Sequence, residues 1–324
     1  MTGLPRASSA HPHTDFLLAT RMPWTETDIP DLTDRTIVVT GANSGIGLEA
    51  ARMFAEHGAR VVMACRTVSK GEAAAAYIRK TAPSARLEVM GLDLADLDSV
   101  RSFAAGLRSL HGELHALVNN AGVMALPHAR TAQGFEMQLG TNHFGHFALT
   151  GLLLESLAPS ARIVNVSSAV HRIGTFDWTD LNWERSYSAW GAYARSKLAN
   201  LYFTFELDRR LKAAGSPLIS VACHPGYAAT NLQHVGPQQR NSSLESTAMS
   251  LGNAIFAQSA RSGALPTAYA TVAAGLRGAE YVGPHIFQAW GAPVPQSTAA
   301  RAQDKDAWKK LWEASEKRTA VRFL

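Results

Sequence analysis

Residues 36–47, with the sequence TIVVTGANSGIG, decide the fold of this chain. The first five form a short β-branched run, which is typical of a fully buried strand. Three glycines follow in the spacing G-x-x-x-G-x-G, and residues 48–57 have a helical pattern. Because glycine lets the backbone approach a phosphate and a helix N-terminus offers free N–H groups, this strand, turn and helix indicate a phosphate-binding unit.

The same alternation continues along the chain. Strand-like stretches at residues 60–64, 87–92 and 114–118 are separated by helical stretches at 70–80 and 99–110. This order predicts an α/β fold, a doubly wound (Rossmann) and mostly parallel sheet with helices on both faces. Ligands of such sheets bind at the carboxyl ends of the strands, so the residues that follow each strand are the candidate site.

We expect a single domain over residues 22–290, after a flexible and polar arm at 1–21. The last strand should end near residues 281–284, and a C-terminal helical tail should occupy 291–324. A helix over about 302–317 carries Trp308, Leu311 and Trp312 on one face, which predicts docking on the domain or on a partner subunit.

Composition excludes several classes of function. The chain is 46% hydrophobic and 18% charged, with two cysteines inside apolar runs, so we predict a soluble cytoplasmic protein without disulfides. No apolar run approaches the length of a membrane span, and the histidines and cysteines lack zinc-ligand spacing, so no metal is expected. The net charge of +5 is spread along the chain and mixed with acidic residues, which disfavours nucleic-acid binding.

Tyr193 and Lys197 form a second candidate for chemistry. Four residues apart on a helix, they share one face about one turn apart. A fixed cation favours the phenolate and should lower the pKa of Tyr193 from about 10, as a general acid or base requires. The pair alone is a common helical pattern and has little specificity.

Arg66 is informative about the cofactor. It directly follows the second strand, where enzymes of this architecture carry Asp or Glu if they bind the unphosphorylated dinucleotide. An arginine there suits a ribose 2′-phosphate, so NADP(H) is favoured and NAD(H) is the alternative.

Taken in order, these motifs resemble the short-chain dehydrogenase/reductase family between about residues 36 and 282. The branch it is most similar to is retinol-dehydrogenase-like, with ACR at 64–66, NHFGHF at 142–147, SKLAN at 196–200 and HPG at 224–226. The tail resembles that of actinobacterial short-chain oxidoreductases. Ser168 stands further before Tyr193 than is usual for compact members.

The resemblance implies a role for each motif residue. Tyr193 would be the acid/base, Ser168 would bond the substrate oxygen, Lys197 would lower the pKa of Tyr193 and bind the nicotinamide ribose, and Asn142 would hold a proton-relay water within a long helix. Of the two adjacent serines, Ser167 would only pack or cap the strand end. The implied cofactor contacts are Gly41, Asn43, Ser44, Gly45, Ile46, Gly47, Arg66, Asp93, Leu94, Asn120, Ala121, Gly122, Tyr193, Lys197, Pro225, Gly226 and Thr230.

Two segments would shape the substrate site. Residues 171–192 form an insertion with five aromatic side chains, which either pack it onto the domain or line the mouth of an apolar pocket. Residues 231–263 occupy the position of the family's substrate lid.

We therefore expect an NADP(H)-dependent alcohol dehydrogenase or carbonyl reductase that acts on a small apolar alcohol or carbonyl compound. The alternatives are a non-catalytic NADP(H)-binding sensor on the same fold and an epimerase or dehydratase. The resemblance also implies a homodimer or homotetramer, paired through the helices that bear Asn142 and Tyr193.

Overall fold

The computed structural model describes residues 23–226 and 259–324. Within these ranges eight strands form one sheet, with bounds β1 Thr36–Thr40, β2 Arg60–Cys65, β3 Arg86–Gly91, β4 Leu114–Asn119, β5 Leu157–Val166, β6 Ile219–Cys223, β7 Tyr281–Ile286 and β8 Trp290–Pro295. The α-helices are α1 Gly45–Glu56, α2 Val68–Thr81, α3 Leu97–Leu110, α4 Met137–Leu139, α5 Gly145–Leu153, α6 Ala189–Ala213, α7 Ala260–Val272 and α8 Lys305–Thr319. The arm at 1–21, Thr230 and most of the expected lid lie outside the described residues.

The sheet has the order β3-β2-β1-β4-β5-β6-β7-β8, and all neighbours are parallel except β7 and β8. Val38 of β1 pairs with Val62 on one side and with Leu117 on the other. The chain therefore reverses its direction of winding at β1, which is where such sheets bind ligands. The predicted doubly wound α/β fold is confirmed.

Two hydrophobic clusters cover the two faces of the sheet. Successive side chains of a strand point to opposite faces, so Val38 belongs to one cluster and Ile37 and Val39 to the other. The first cluster lies under α3, α5, α6 and α8, and the second under α1, α2 and α7. Both faces are buried, which explains why the centre of β1, residues 37–39, is continuously apolar rather than alternating.

The end of the sheet differs from the sequence-based prediction. The strand expected to end near residue 284 continues to Ile286, and β8 then returns antiparallel to it as far as Pro295. The expected start of the tail at residue 291 thus falls inside a strand. The five glycines and prolines among residues 283–295 obscured the hairpin, because these residues are rare in strands.

The C-terminal helix docks on the domain itself. It starts at Lys305, after a separate 3₁₀ turn at Ala300–Gln303, and buries Trp308, Leu311 and Trp312. The ring of Trp312 lies 5.1 Å from that of Phe147 on α5. Helix α8 thus covers part of α5 and α6, the helices expected for pairing, and self-association through them stays a prediction.

The helix expected around Asn142 is interrupted. Residues Gly140–Phe144 form a π turn between α4 and α5. Such turns widen the helix by one residue and are frequent at functional sites. Across the described ranges, the structure contains no helix long and apolar enough to cross a membrane.

Candidate active site

The glycine turn after β1 is held by close backbone contacts. Gly41 and Gly45 have φ angles of 68° and 56°, in the left-handed region that favours glycine. A Cβ added to Gly47 would lie 2.4 Å from the carbonyl oxygen of Gly41 and 2.4 Å from Nδ2 of Asn120. The turn therefore has no room for side chains at its crossing point, while Ser44 stands at the N-cap of α1.

The turn after β4 is bonded to the turn after β1. The backbone amides of Asn120 and Ala121 donate to Oγ1 of Thr40 at 3.0 and 2.9 Å, and Nδ2 of Asn120 donates to the carbonyl oxygen of Thr40 at 2.7 Å. Asn120 thus braces the glycine turn with its side chain. Its predicted contact with the cofactor ribose stays a prediction.

A groove of about 900 Å³ runs along the carboxyl ends of β1 to β4. It brings together many of the predicted cofactor residues, namely Gly41, Asn43, Ser44, Arg66, Asp93, Leu94, Ala121 and Gly122. The backbone amide of Ala95 donates to Oδ1 of Asp93 at 2.9 Å, which fixes that carboxylate at the groove wall. The side chain of Ile46 packs against the hydrophobic core under α1, and its predicted contact with the cofactor stays a prediction.

Lys70 is a groove residue that the sequence analysis missed. It lies in the first turn of α2, four positions after Arg66, and both line the groove. Its spacing from Arg66 could have indicated it. Two cations beside a glycine turn with an open α1 N-terminus fit a phosphorylated dinucleotide, because each can pair with phosphate oxygens.

Tyr193, Lys197 and Ser168 meet at the edge of this groove. Tyr193 and Lys197 lie one turn apart on α6, with Nζ of the lysine 5.7 Å from the centre of the phenol ring. Both are buried, at 6% and 3% exposure. Ser168 follows β5 and is hydrogen-bonded to Tyr193 through its side chain. Gly122 connects them to the groove, because a Cβ there would lie 3.5 Å from Nζ of Lys197.

The expected lowering of the Tyr193 pKa by Lys197 is not found in the structure. Burial raises the pKa of Tyr193 to about 12, and the hydrogen bond with Ser168 offsets only part of this rise. Burial also lowers the pKa of Lys197 to about 8. The ammonium donates to the carbonyl oxygen of Val166 at 3.1 Å and so is not turned fully toward the phenol.

Asn142 is tied into the site by its side chain. Its Oδ1 accepts from the backbone amide of Val123 at 2.8 Å, and its Nδ2 donates to Val123 O and to Oγ of Ser196, each at 2.9 Å. A Cβ on Gly122 would lie 3.1 Å from Oδ1 of Asn142. Asn142 and Lys197 therefore flank the same glycine, and the relay role of Asn142 stays a prediction.

The two adjacent serines have different environments. Ser167 is buried and donates to the carbonyl oxygen of Lys197 at 2.8 Å, so it holds α6 against β5. Ser168 stands at the N-cap of the short 3₁₀ helix Ala169–Ile173 and faces Tyr193. The role of Ser168 as the site serine stays a prediction.

His171 is a second residue that sequence reasoning missed. Its Nδ1 donates to the carbonyl oxygen of Ser168 at 2.7 Å, and its Nε2 accepts from the backbone amide of Ala299 at 3.1 Å. The C-terminal segment is thereby bonded to the serine. Because 128 positions separate His171 from Ala299, no local pattern in the sequence could have indicated this contact.

Most aromatic residues of the insertion pack onto the domain. Phe176 stacks on Trp178 at 4.7 Å and lies 5.4 Å from Tyr202 of α6. Tyr187 donates to the carbonyl oxygen of Leu126 at 2.8 Å. Trp190 is different, because it is 37% exposed and its ring lies 6.1 Å from that of Tyr193.

Arg195 anchors the insertion. It is 3% exposed, donates to the carbonyl oxygens of Thr175 and Asp180 at 3.0 and 2.9 Å, and lies 4.3 Å from the ring centre of Trp183. It stands two positions after Tyr193, so it fixes the insertion to the helix that carries the phenol.

The turn after β6 contains Pro225 and Gly226. Gly226 has a φ of 71°, and its amide donates to Nδ1 of His224 at 3.2 Å. Among the described residues, no group of three or more His, Cys, Asp or Glu side chains could hold a metal ion. Cys65 and Cys223 are buried and free.

Known proteins resemble this chain over most of its length. The family model for short chain dehydrogenase matches residues 35–241. Human retinol dehydrogenase 12 is 42% identical over 298 residues, which are 90% of this chain and 88% of the relative. Mouse polyprenol dehydrogenase is 40% identical over 291 residues, or 88% and 83% of the two chains.

A solved structure supports the same assignment. The crystal structure of an uncharacterized protein from Mycobacterium Paratuberculosis is 45% identical, with a TM-score of 0.78 over 93% of this chain and 99% of that one. Members of the matched family are oxidoreductases that use NAD(P)(H). The resemblance inferred from the motifs is confirmed, and the chain belongs to the short-chain dehydrogenase family, as an oxidoreductase related to the retinol dehydrogenases.

Proposed function

We propose that this oxidoreductase interconverts an alcohol and a ketone or aldehyde with NADP(H), on an apolar substrate. The observation that carries the proposal is the meeting of Ser168, Tyr193 and Lys197 at the edge of the groove, next to Gly122. A phenol, a hydroxyl and an ammonium at one point can hold a substrate oxygen and exchange a proton with it.

The groove residues support NADP(H) as the cofactor. The glycine turn and the α1 N-terminus would hold the pyrophosphate, Asp93 would contact the adenine, and Arg66 with Lys70 would hold a ribose 2′-phosphate. When bound, the nicotinamide supplies or accepts the hydride at the carbinol carbon.

Tyr193 would act as the acid/base. With a pKa of about 12 the phenol is neutral near pH 7, so it is ready to give its proton to a carbonyl oxygen during reduction. Ser168 would donate a hydrogen bond to the same oxygen, and the Lys197 ammonium would stabilise the phenolate left behind. Because the pKa of Lys197 is about 8, this support declines as the pH rises above that value.

An apolar substrate is supported by the side chains around Tyr193. Met124, Ala125, Val170 and Ala189 form a small hydrophobic cluster with it, and the half-exposed Trp190 ring lies beside it. Retinol dehydrogenase 12 and polyprenol dehydrogenase are named for apolar alcohols, which favours a substrate of that class.

The test is reduction of a panel of apolar aldehydes and ketones with NADPH, followed by the loss of reduced nicotinamide absorbance. Turnover should occur with the wild type and fall at least about 1,000-fold in Tyr193→Phe, since the proton donor is lost. Tyr202→Phe, on the same helix but packed against Phe176, is the matched control and should keep near-normal turnover. Tight NADPH binding without turnover on any compound would contradict the proposal and favour a sensor.

A further inference from the structure

His146 lies between the cofactor side and the catalytic side of the site. It is 2% exposed on α5 and hydrogen-bonds through both ring nitrogens. Nδ1 lies 3.0 Å from the carbonyl oxygen of Asn142, and Nε2 lies 2.9 Å from Oγ1 of Thr40. His146 belongs to the NHFGHF stretch at residues 142–147, but none of the roles proposed above uses its side chain.

The contacts of His146 determine its protonation. A carbonyl oxygen can only accept, so Nδ1 must carry a proton and donate it to Asn142. Burial lowers the pKa of His146 to about 4, so the ring is neutral and Nε2 must be an acceptor. The hydroxyl of Thr40 therefore donates to Nε2 at 2.9 Å, with the carbonyl oxygen of Val118 as a more distant acceptor at 3.3 Å. The Thr40 oxygen accepts from the amides of Asn120 and Ala121.

A continuous series of hydrogen bonds results. It begins at Thr40, where β1 enters the glycine turn, and passes through His146 to the backbone of Asn142 in the π turn. The side chain of Asn142 then donates to Ser196, which is next to Lys197 on α6. Each member of the series is buried, so water does not compete for these hydrogen bonds.

We propose that His146 is a positioning residue that keeps Asn142 and Lys197 in a fixed position relative to the glycine turn. This inference rests on the function proposed above. The position of Asn142 and Lys197 relative to the glycine turn matters only if the turn binds a dinucleotide and Lys197 stabilises the phenolate of Tyr193. The bond to Asn142 affects the rate of the chemical step, because it holds Asn142 and, through Ser196, Lys197 in position. The bond to Thr40 sets the shape of the glycine turn and hence the affinity for the dinucleotide.

Two isosteric variants separate these bonds. His146→Asn places an amide near the position of Nδ1 and loses the bond to Thr40, whereas His146→Gln places one near Nε2 and loses the bond to Asn142. In His146→Asn we expect the Kd for NADPH, from fluorescence titration, to rise about tenfold, with kcat within threefold of the wild type. In His146→Gln we expect the Kd for NADPH to stay near the wild-type value and kcat to fall about 10–100-fold, since small misplacements of catalytic groups reduce rates by this order.

A measurement without turnover tests the same bonds. Hydrogen exchange of the peptide amides across residues 137–153 should be faster in His146→Gln and close to wild type in His146→Asn. His143→Phe is the matched control, because His143 is buried in the π turn but contacts Ser315 of α8 at 2.8 Å. It should leave kcat and NADPH affinity near the wild-type values even if the melting temperature falls.

The results can overturn the inference separately from the proposed function. Equal losses of kcat and NADPH affinity in His146→Asn and His146→Gln, or equal losses in His143→Phe, would show that His146 only fills the core. If His146→Gln does not fold, unchanged NADPH affinity in His146→Asn would still contradict the role assigned to the bond with Thr40. Absence of wild-type turnover would count against the proposed function, while NADPH binding and exchange would still decide the role of His146.

Discussion

The glycine turn at residues 41–47 and the insertion at residues 171–192 border the same site but are held in different ways. The turn is fixed by its backbone, because Gly47 lies so close to the carbonyl oxygen of Gly41 that a side chain at position 47 would clash with it. Between its first 3₁₀ turn and the start of α6 at Ala189, the insertion has little regular structure and is fixed by side chains, above all by Arg195.

This difference explains what each region can do. A backbone turn offers the same N–H groups whatever side chains surround it, so it suits a cofactor that many enzymes share. A segment fixed by side chains can change its shape through a few substitutions, which suits recognition of a particular substrate. We therefore expect changes in the turn to affect cofactor binding and changes in the insertion to affect substrate selection.

Acid should have the largest effect, because it acts on two buried histidines, His143 and His146, of which His146 is bonded to Thr40 beside the glycine turn. Burial lowers the pKa of His143 to about 3 and that of His146 to about 4. Below about pH 6.5 the unfolded chain binds protons that these folded histidines do not, so stability is greatest above this pH and falls toward pH 4 by about 1.4 kcal/mol per pH unit for each histidine.

Thermal melts between pH 7 and pH 4.5 measure this loss. Tryptophan fluorescence, to which three tryptophans of the insertion contribute, and NADPH binding at the turn should report transitions that shift together. His143→Phe should reduce the dependence on pH, and a melting temperature unchanged from pH 7 to pH 5 would contradict the prediction.

The next largest effect is expected for Gly47→Ala in the turn. Its Cβ would meet the Gly41 carbonyl at 2.4 Å, so the free energy of unfolding should fall by about 3 kcal/mol and NADPH affinity by at least tenfold. Gly112→Ala is the control, because nothing lies within 4 Å of a Cβ there. Denaturant unfolding and fluorescence titration measure both quantities, and equal behaviour of the two variants would refute the close-contact argument.

Arg195→Met tests the insertion in the same manner. It should cost about 2 kcal/mol of stability, because two part-buried hydrogen bonds to carbonyl oxygens lose their charged donor. The substrate KM should rise while NADPH affinity stays near normal. Arg185→Met, whose ion pairs are exposed, is the control and should change neither. Weaker NADPH binding in Arg195→Met would show that the two regions are not independent.

The smallest effect concerns Arg66. Loss of one charged hydrogen-bonding partner costs about 1.5–2 kcal/mol, so Arg66→Ala should weaken NADPH binding about 10–30-fold and NADH binding less than threefold. Lys70→Ala should act in the same direction. Parallel titrations with both cofactors measure the ratio, and an equal loss for NADPH and NADH would exclude a 2′-phosphate contact.

The sequence predicted those parts of the molecule that depend on neighbouring residues. The strand and turn at residues 36–47 were found because β-branching and glycine act locally, and the Tyr193–Lys197 pair because helical spacing places both on one face. The β7–β8 hairpin was missed because prolines and glycines hide it. Contacts between distant segments, such as Thr40 with His146 across 106 positions, depend on the finished fold and leave no local pattern.

The most direct test of the account is transfer of deuterium to an apolar aldehyde from NADPH that carries deuterium at both hydrogen positions of nicotinamide C4. The wild type should place one deuterium on the carbinol carbon of each product molecule. Tyr193→Phe should bind NADPH with wild-type affinity and form almost no labelled alcohol. A product without deuterium, or transfer by Tyr193→Phe at the wild-type rate, would contradict the central claim that Tyr193 supplies the proton while hydride comes from the cofactor.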